Sequence, residues 1–179
     1  MVAFNESAGR KVTTAMKLTR TEAEDFIYRE SYLLDNQAYT EWLKLFTDDG
    51  IYWLPMYDEV DPKLNTSILY DDSRLREMRV HQLVNKPHYA QIPPSRTVHL
   101  VSNVAVTPTT RSDESVVRCA VMVAELRAGD HRQLGLGNQR IFAGHCEYHL
   151  RDCGDLRIAL KKVTLIQRDV PIENLSFLL

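Results

Sequence analysis

The sequence predicts an α+β domain in which three N-terminal helices pack on one face of a long, curved antiparallel sheet. Three observations carry that prediction. Apolar residues at helical spacing are confined to the part of the chain before Pro87. After Pro93-Pro94 the segments alternate instead, and breaks at Ser112-Asp113, Gly129-Asp130 and Cys153-Gly154 read as hairpin turns. The apolar phase of the last segment then slips by one residue, from Leu156, Ile158 and Leu160 to Val163 and Leu165. A β-bulge near Lys161-Lys162 explains the slip, and bulges bend long strands, so the meander wraps into a half-open cone.

The chain has 179 residues, enough for one domain with a substantial core. Residues 1–17 lack periodicity and read as an arm, which leaves 18–179 as a single cone-shaped domain. Thr19 with Glu22 has capping-box spacing, and Ala23, Phe26, Ile27, Leu33 and Leu34 form a stripe that only Glu30 interrupts. Asp35-Asn36 breaks this helix. A short second one, from Gln37 to Phe46, presents Trp42, Leu45 and Phe46. Asp48-Asp49-Gly50 reads as a turn leading into a strand from Ile51 to Tyr57, where Pro55 argues for an edge or a bulge. Residues 58–65 read as a loop, and Ser67 to Tyr70 as a short strand or the lead-in to a helix. Asp72 or Ser73 caps the third helix, whose expected buried side is Leu75, Met78, Leu83 and Val84. It stops before Asn85-Lys86-Pro87, because the residue before proline disfavours the α region.

Strands follow over 95–108, 115–128, 133–151 and 155–169. In the first, Val98, Leu100, Val104 and Val106 alternate onto one apolar face, while Thr97, His99, Val101, Asn103 and Ala105 make a mixed face with Arg96 at its mouth. In the third, Phe142, Cys146, Tyr148 and Leu150 share a face.

Composition narrows the function. With 44% hydrophobic and 26% charged residues the chain is of the ordinary globular class. A net charge of -2 gives no basic footprint for nucleic acid. No apolar run is long enough for a membrane span, and the N-terminus lacks the apolar centre of a signal peptide. Three cysteines are too few and too odd for a disulfide framework, which makes a reducing cytoplasm the default.

The densest constellation is His145-Cys146-Glu147-Tyr148-His149 with Cys153 nearby. On a strand, His145 and His149 lie roughly 13 Å apart and Cys146 points the other way. One metal ion needs its ligands within about 2.3 Å of a single point, so an ordinary strand is the plainer reading. Cys146-x-x-His149 is half of a Rieske ligand set, but the companion Cys-x-His is missing. There is no Gly-x-Ser-x-Gly elbow, and Gly135-Leu136-Gly137-Asn138 lacks the lysine of a phosphate loop. One enzymatic alternative remains, a lyase, isomerase or dehydratase with Tyr52, His99 and His145 lining a small apolar pocket. A hydrogen-bonded core or interface role is the simpler one for His99.

The helix carrying Phe26, Tyr28, Glu30, Leu33, Leu34 and Asp35, the run EWLKLFTDDGIYWLP at 41–55, the segment from Tyr70-Asp71-Asp72 to Arg79-Val80, and PPSRTVHLVSNV at 93–104 resemble the small (beta) subunit of bacterial aromatic-ring-hydroxylating dioxygenases. The resemblance runs from about residue 20 onward. It implies the cystatin-like cone fold shared with scytalone dehydratase and ketosteroid isomerase. It further implies assembly with a larger alpha subunit, commonly three alpha with three beta, including a trimer of the small chain. The alpha subunit would carry a Rieske 2Fe-2S cluster and a mononuclear iron, and a separate reductase would supply electrons from NADH. No catalytic, cofactor-binding or metal-binding residue carries over to this chain. On this reading the subunit-contact candidates are Arg96, His99, His145, Glu147 and His149. Arg96 is either an interface anchor or the partner of Asp71 or Asp72.

Overall fold

A computed structural model describes residues 18–57, 61, 62, 64–85, 94–127, 132, 137–172 and 175–179. The expected arm over 1–17, the turn at Gly129-Asp130 and Gly135-Leu136 lie outside them. The described residues form three helices, α1 (Arg20–Asp35), α2 (Tyr39–Leu43) and α3 (Ser73–Asn85). Six strands accompany them: β1 (Phe46–Pro55), β2 (Ser67–Asp71), β3 (Arg96–Pro108), β4 (Glu114–Leu126), β5 (Gln139–Asp152) and β6 (Leu156–Leu165). All six make one sheet in the order β2-β1-β6-β5-β4-β3. The meander β3 to β6 is antiparallel as expected, but β1 joins β6 in parallel, so the whole sheet is mixed. The α+β class and the helices-on-a-curved-sheet architecture hold.

Helix α1 begins as its capping box dictates. The Thr19 hydroxyl accepts from the Glu22 amide at 3.2 Å, and Glu22 accepts from the Thr19 amide at 2.8 Å. Its inward side is Ala23, Phe26, Ile27, Glu30 and Leu34. The helix ends where Gln37 takes a positive φ of 55°. Helix α2 is five residues long, shorter than the expected 37–46, because Phe46 already belongs to β1.

Asp48-Asp49-Gly50 is not a turn. Strand β1 runs through it with a bulge against β6, between Phe46 and Ile51. Gly50 is required there by proximity, since a Cβ would lie 2.7 Å from the Ile158 carbonyl oxygen. Of the edge or bulge expected at Pro55, the structure has the bulge: the register against β2 shifts between Leu54 and Pro55, and β1 lies inside the sheet.

The buried side of α3 differs from the expectation. Asp72 is the cap, accepting from the Leu75 amide at 2.8 Å. The residues turned inward, however, are Arg76 and Val80, while Leu75, Met78 and Val84 are exposed and Leu83 is half-buried. Polar anchors set this rotation. Arg76 donates to the Gly50 carbonyl at 2.7 Å with its guanidinium 4.0 Å from the Phe46 ring centre, and Arg79 pairs with Asp71.

Two bulges shape the meander. In β6 the ladder skips Ala159, passing from Leu150↔Ile158 to His149↔Leu160. The expected bulge therefore exists but lies before Lys161-Lys162. Lys161 is itself an inward residue, which hides the phase change from a hydrophobicity count. In β3 the ladder passes from Ser102↔Ala120 to Ala105↔Arg118, so Asn103 and Val104 together oppose Cys119. Asn103 takes φ 57°, a conformation asparagine tolerates better than most residues. This bulge splits the apolar face expected of the strand: Val98 and Leu100 point outward, and only Val104 and Val106 turn toward the core.

Candidate interaction face

On the inner face of the sheet, the buried Glu30 is the centre of a polar network. Glu30, 1% exposed, accepts from Trp42 Nε1 at 2.9 Å, the Tyr148 hydroxyl at 2.8 Å and Lys161 Nζ at 2.7 Å. Lys161 also stands 5.7 and 5.5 Å from the ring centres of Tyr52 and Tyr148. The Tyr52 hydroxyl donates to the Leu179 carbonyl at 3.1 Å and accepts from the Leu179 amide at 3.0 Å. Burial, reinforced by the Glu30 charge, pushes the Tyr148 phenol well up, and burial does the same to Tyr52. Both phenols stay protonated at neutral pH, and their hydroxyls already have partners.

The three residues of the pocket alternative do not converge. Tyr52 is inside the cone, and His145 is exposed on the opposite face of the sheet. His99 lies under α1. Its Nδ1 is 2.6 Å from Asp35 Oδ1 and its backbone amide donates to Asp35 Oδ2 at 3.0 Å, while the Thr97 hydroxyl donates to Oδ1 at 2.8 Å. Burial opposes the Asp35 charge, but these hydrogen bonds outweigh it and hold the carboxyl below its usual range. Strand β3 is a sheet edge, and Gln37 Nε2 also donates to the Ser95 carbonyl at 3.1 Å. The end of α1 therefore clasps the start of this edge, giving unpaired strand groups a partner. The mixed face of β3 is thus the one α1 covers. With its side chain 3% exposed, His99 is not available for subunit contact.

Of the other contact candidates, His145, Glu147 and His149 share the outer face of β5, while Arg96 lies at the far end of the sheet, opposite Leu126. Glu147 and His149 lie on β5 beside Arg118 of β4. The Arg118 Nε donates to Glu147 at 2.8 Å, and His149 stands with Nδ1 3.1 Å from Glu114 and Nε2 3.4 Å from Glu147. Arg151 continues the array to Glu114 and Asp49. Burial opposes the Glu147 charge, yet Arg118 and His149 hold its carboxyl below the ordinary range. His145 lies one step along the strand, and Arg96 is exposed at the start of β3. Asp71 is taken by Arg79 and Asp72 by the α3 cap, so neither is the Arg96 partner.

Next to this array lies an exposed apolar patch that includes Val98 and Leu100 from the face of β3 read as apolar. Val98, Leu100, Met122, Ile141 and Ile166 are between 44% (Met122) and 66% (Ile166) exposed. Leu100 stands opposite Met122, and Val98 and Ile141 flank Ala124 on either side. Leu100, Met122 and Ile166 line a groove of about 420 Å³ that also involves Ala120, Ala143 and His145. Contiguous exposed apolar surface rimmed by polar residues marks an interaction site.

Among the described residues no three His, Cys, Asp or Glu side chains are arranged to hold a metal ion. Cys146 points inward against Cys119 and His149 points outward, so the Cys-x-x-His spacing does not serve one centre. No helix among the described residues is long and apolar enough to cross a membrane.

Comparison with known proteins places these features. The family model described as "Ring hydroxylating beta subunit" matches residues 29–171. The small oxygenase component of the p-cumate 2,3-dioxygenase system of Pseudomonas putida is 37% identical over 153 residues, 83% of this chain and 79% of that protein. The beta subunit of benzene 1,2-dioxygenase of Pseudomonas putida is 29% identical over 171 residues, covering 88% and 87%. Among solved structures, the beta subunit of the benzoate 1,2-dioxygenase from Burkholderia mallei aligns with a TM-score of 0.70 at 24% identity, over 88% of this chain and 97% of that one. An NTF2-like protein with a cystatin-like fold from Novosphingobium aromaticivorans aligns with a TM-score of 0.56 at 17% identity, over 82% and 81%. These two likenesses show the fold.

Proposed function

The chain belongs to the ring hydroxylating beta subunit family, and from that membership we propose that it serves as the assembly subunit of an aromatic-ring-hydroxylating dioxygenase, an oxidoreductase that adds O₂ to an aromatic ring to give a cis-dihydrodiol. Its partner is the larger alpha subunit of the oxygenase. On this reading the alpha subunit carries the Rieske 2Fe-2S cluster and the mononuclear iron, and a separate reductase delivers electrons from NADH. The described residues of this chain offer neither ligand set. The assembly is of three alpha with three beta chains in the cytoplasm, the small chains associating as a trimer.

The observation that carries the reading is the outer face. Among the described residues, the polar network around Glu30 occupies the interior where a self-contained lyase or isomerase would need a pocket. On the outer face the apolar side chains of Val98, Leu100, Met122, Ile141 and Ile166 are exposed together, with His145, Glu147 and His149 beside them. An apolar centre with a polar margin is the ordinary anatomy of a subunit interface. Arg96, exposed next to Val98, belongs to its margin.

The test is affinity purification of the chain from its native host with a visible absorbance spectrum of the eluate. A red-brown eluate with a second, larger band is expected. A colourless lone band, with lyase or isomerase activity in the isolated chain, would overturn the reading.

A further inference from the structure

We propose that Cys119 and Cys146 are a redox-active pair, which hydrogen peroxide converts into a reversible disulfide across the middle of the meander. Both side chains belong to the inner face, away from whatever covers the outer one. The ladder places them. Cys119 of β4 stands directly opposite Cys146 of β5 in antiparallel pairing. Opposite residues project to the same face, with Cα atoms about 4.5 or 5.5 Å apart, and a disulfide spans either distance. The two thiols are already hydrogen-bonded to each other. Closing the bond therefore needs side-chain rotation rather than movement of the strands.

The surroundings favour this pair over other thiol chemistry. On the β3 side the bulge sets Asn103 and Val104 together opposite Cys119, so the ladder there is interrupted and β4 can absorb a small change of twist. Val163 flanks Cys146 on the β6 side. Cys119 is 4% and Cys146 3% exposed, which shuts out bulky oxidants such as glutathione disulfide and leaves a small neutral one. The third thiol, Cys153, is exposed past the end of β5. It lies roughly 20 Å along the strand from Cys146, too far to compete for it.

The two thiols are not equivalent. The hydrogen bond from Cys146, helped by the Lys161 ammonium, holds the Cys119 thiol below its usual range against the effect of burial. The same hydrogen bond, together with burial, pushes the Cys146 thiol well up. Cys119 is therefore the nucleophile. Its thiolate attacks one oxygen of hydrogen peroxide, the O–O bond breaks, and the displaced hydroxide takes up the proton Cys119 gave up and leaves as water. Cys119 is then a sulfenic acid. The Cys146 sulfur attacks the Cys119 sulfur, the S–O bond breaks, and hydroxide leaves as water with the Cys146 proton. One peroxide is reduced to two waters while two thiols are oxidised to one disulfide. A dithiol reverses the bond by exchange. In a reducing compartment the pair rests as thiols, and its disulfide is transient.

The experiment uses the full chain carrying Cys153→Ser, so that only the pair can react. The folded protein is treated with hydrogen peroxide, quenched with catalase and unfolded, and its thiols are counted by alkylation and mass spectrometry. Both thiols are expected to be lost together, with the loss of two hydrogen atoms from the intact mass, and dithiothreitol should restore both. Circular dichroism before and after treatment checks that the fold is kept. Adding Cys119→Ser should leave Cys146 a free thiol at the dose that closes the pair. Peptide mapping of the oxidised wild-type chain should give the same 119–146 link, a readout that needs no variant to fold. Survival of both thiols at a large excess over the dose that oxidises Cys153 in the wild type would overturn the proposal. So would sulfinic or sulfonic acid at one cysteine with the other still free, because the partner sulfur would then be out of reach. A link that forms only in urea, or only between two chains, would likewise overturn it, since the fold would not be what places the pair.

Discussion

The two faces of the sheet treat polar and apolar groups in opposite ways. On the inner face three donors converge on Glu30, and Lys161, only 2% exposed, is fully compensated. On the outer face the carboxylates are paired, but five large apolar side chains meet water and Lys162 has only an aromatic ring beneath it. The difference teaches that the unmet interactions of this chain are directed toward another protein rather than a small molecule.

Four experiments would sharpen or break that contrast. The largest effect is expected inside. Glu30→Leu strands the Lys161 ammonium and should cost about 3–5 kcal/mol in denaturant unfolding, with most of the loss recovered in the double variant Glu30→Leu/Lys161→Met. A single-variant cost below about 1 kcal/mol would mean that the inner network is not what holds the cone. Next comes Met122→Asp on the outer face. Isolated-chain stability should change by no more than about 0.5 kcal/mol, while affinity for the large subunit falls by about tenfold or more. Loss of folding instead would show that the two faces are not independent.

A smaller effect belongs to the clasp between them. Asp35→Asn should cost about 1 kcal/mol at neutral pH, since it weakens hydrogen bonds to a charged acceptor. Because the folded-state pKa of Asp35 is lowered, its contribution is present above the unfolded carboxyl value of about 3.9 and is lost as pH falls through the folded value. The stability gap between wild type and Asp35→Asn should accordingly be flat above about pH 5 and shrink below about pH 4. A gap that widens in acid would contradict the assigned hydrogen bonds. The smallest effect is expected from Arg118→Ala, whose exposed pair with Glu147 should be worth no more than about 1 kcal/mol. Urea melts of the two proteins side by side would register anything larger.

Much of this architecture was legible in the sequence, and the exceptions share a cause. Periodicity located the helices, the meander and even the existence of a bulge in β6. It failed wherever a residue of the wrong polarity was inward. Lys161 concealed the position of the β6 bulge, and Arg76 turned α3 so that Leu75 and Met78 face out. In β3 the apolar run reads as one face, because a count of alternation does not register the extra residue at Asn103. Strand alternation alone puts His145, Glu147 and His149 on one side of β5, whereas the covering of His99 comes from Asp35, 64 positions earlier in the chain, which alternation does not register.

The parallel pairing of β1 with β6 bears on the order in which the molecule is built. Strand β6 is the last of the six to leave the ribosome, yet it occupies the middle of the sheet, between β1 and β5. Until it arrives, β1 with β2 and the β3–β5 meander are two separate fragments with open edges facing each other. Closure by such distant segments is slow, and unpaired edges are prone to aggregate while they wait. Production of this chain should therefore be limited by the lifetime of that split sheet, and slower synthesis or chaperone supply should raise its yield more than any gain in the stability of the finished fold.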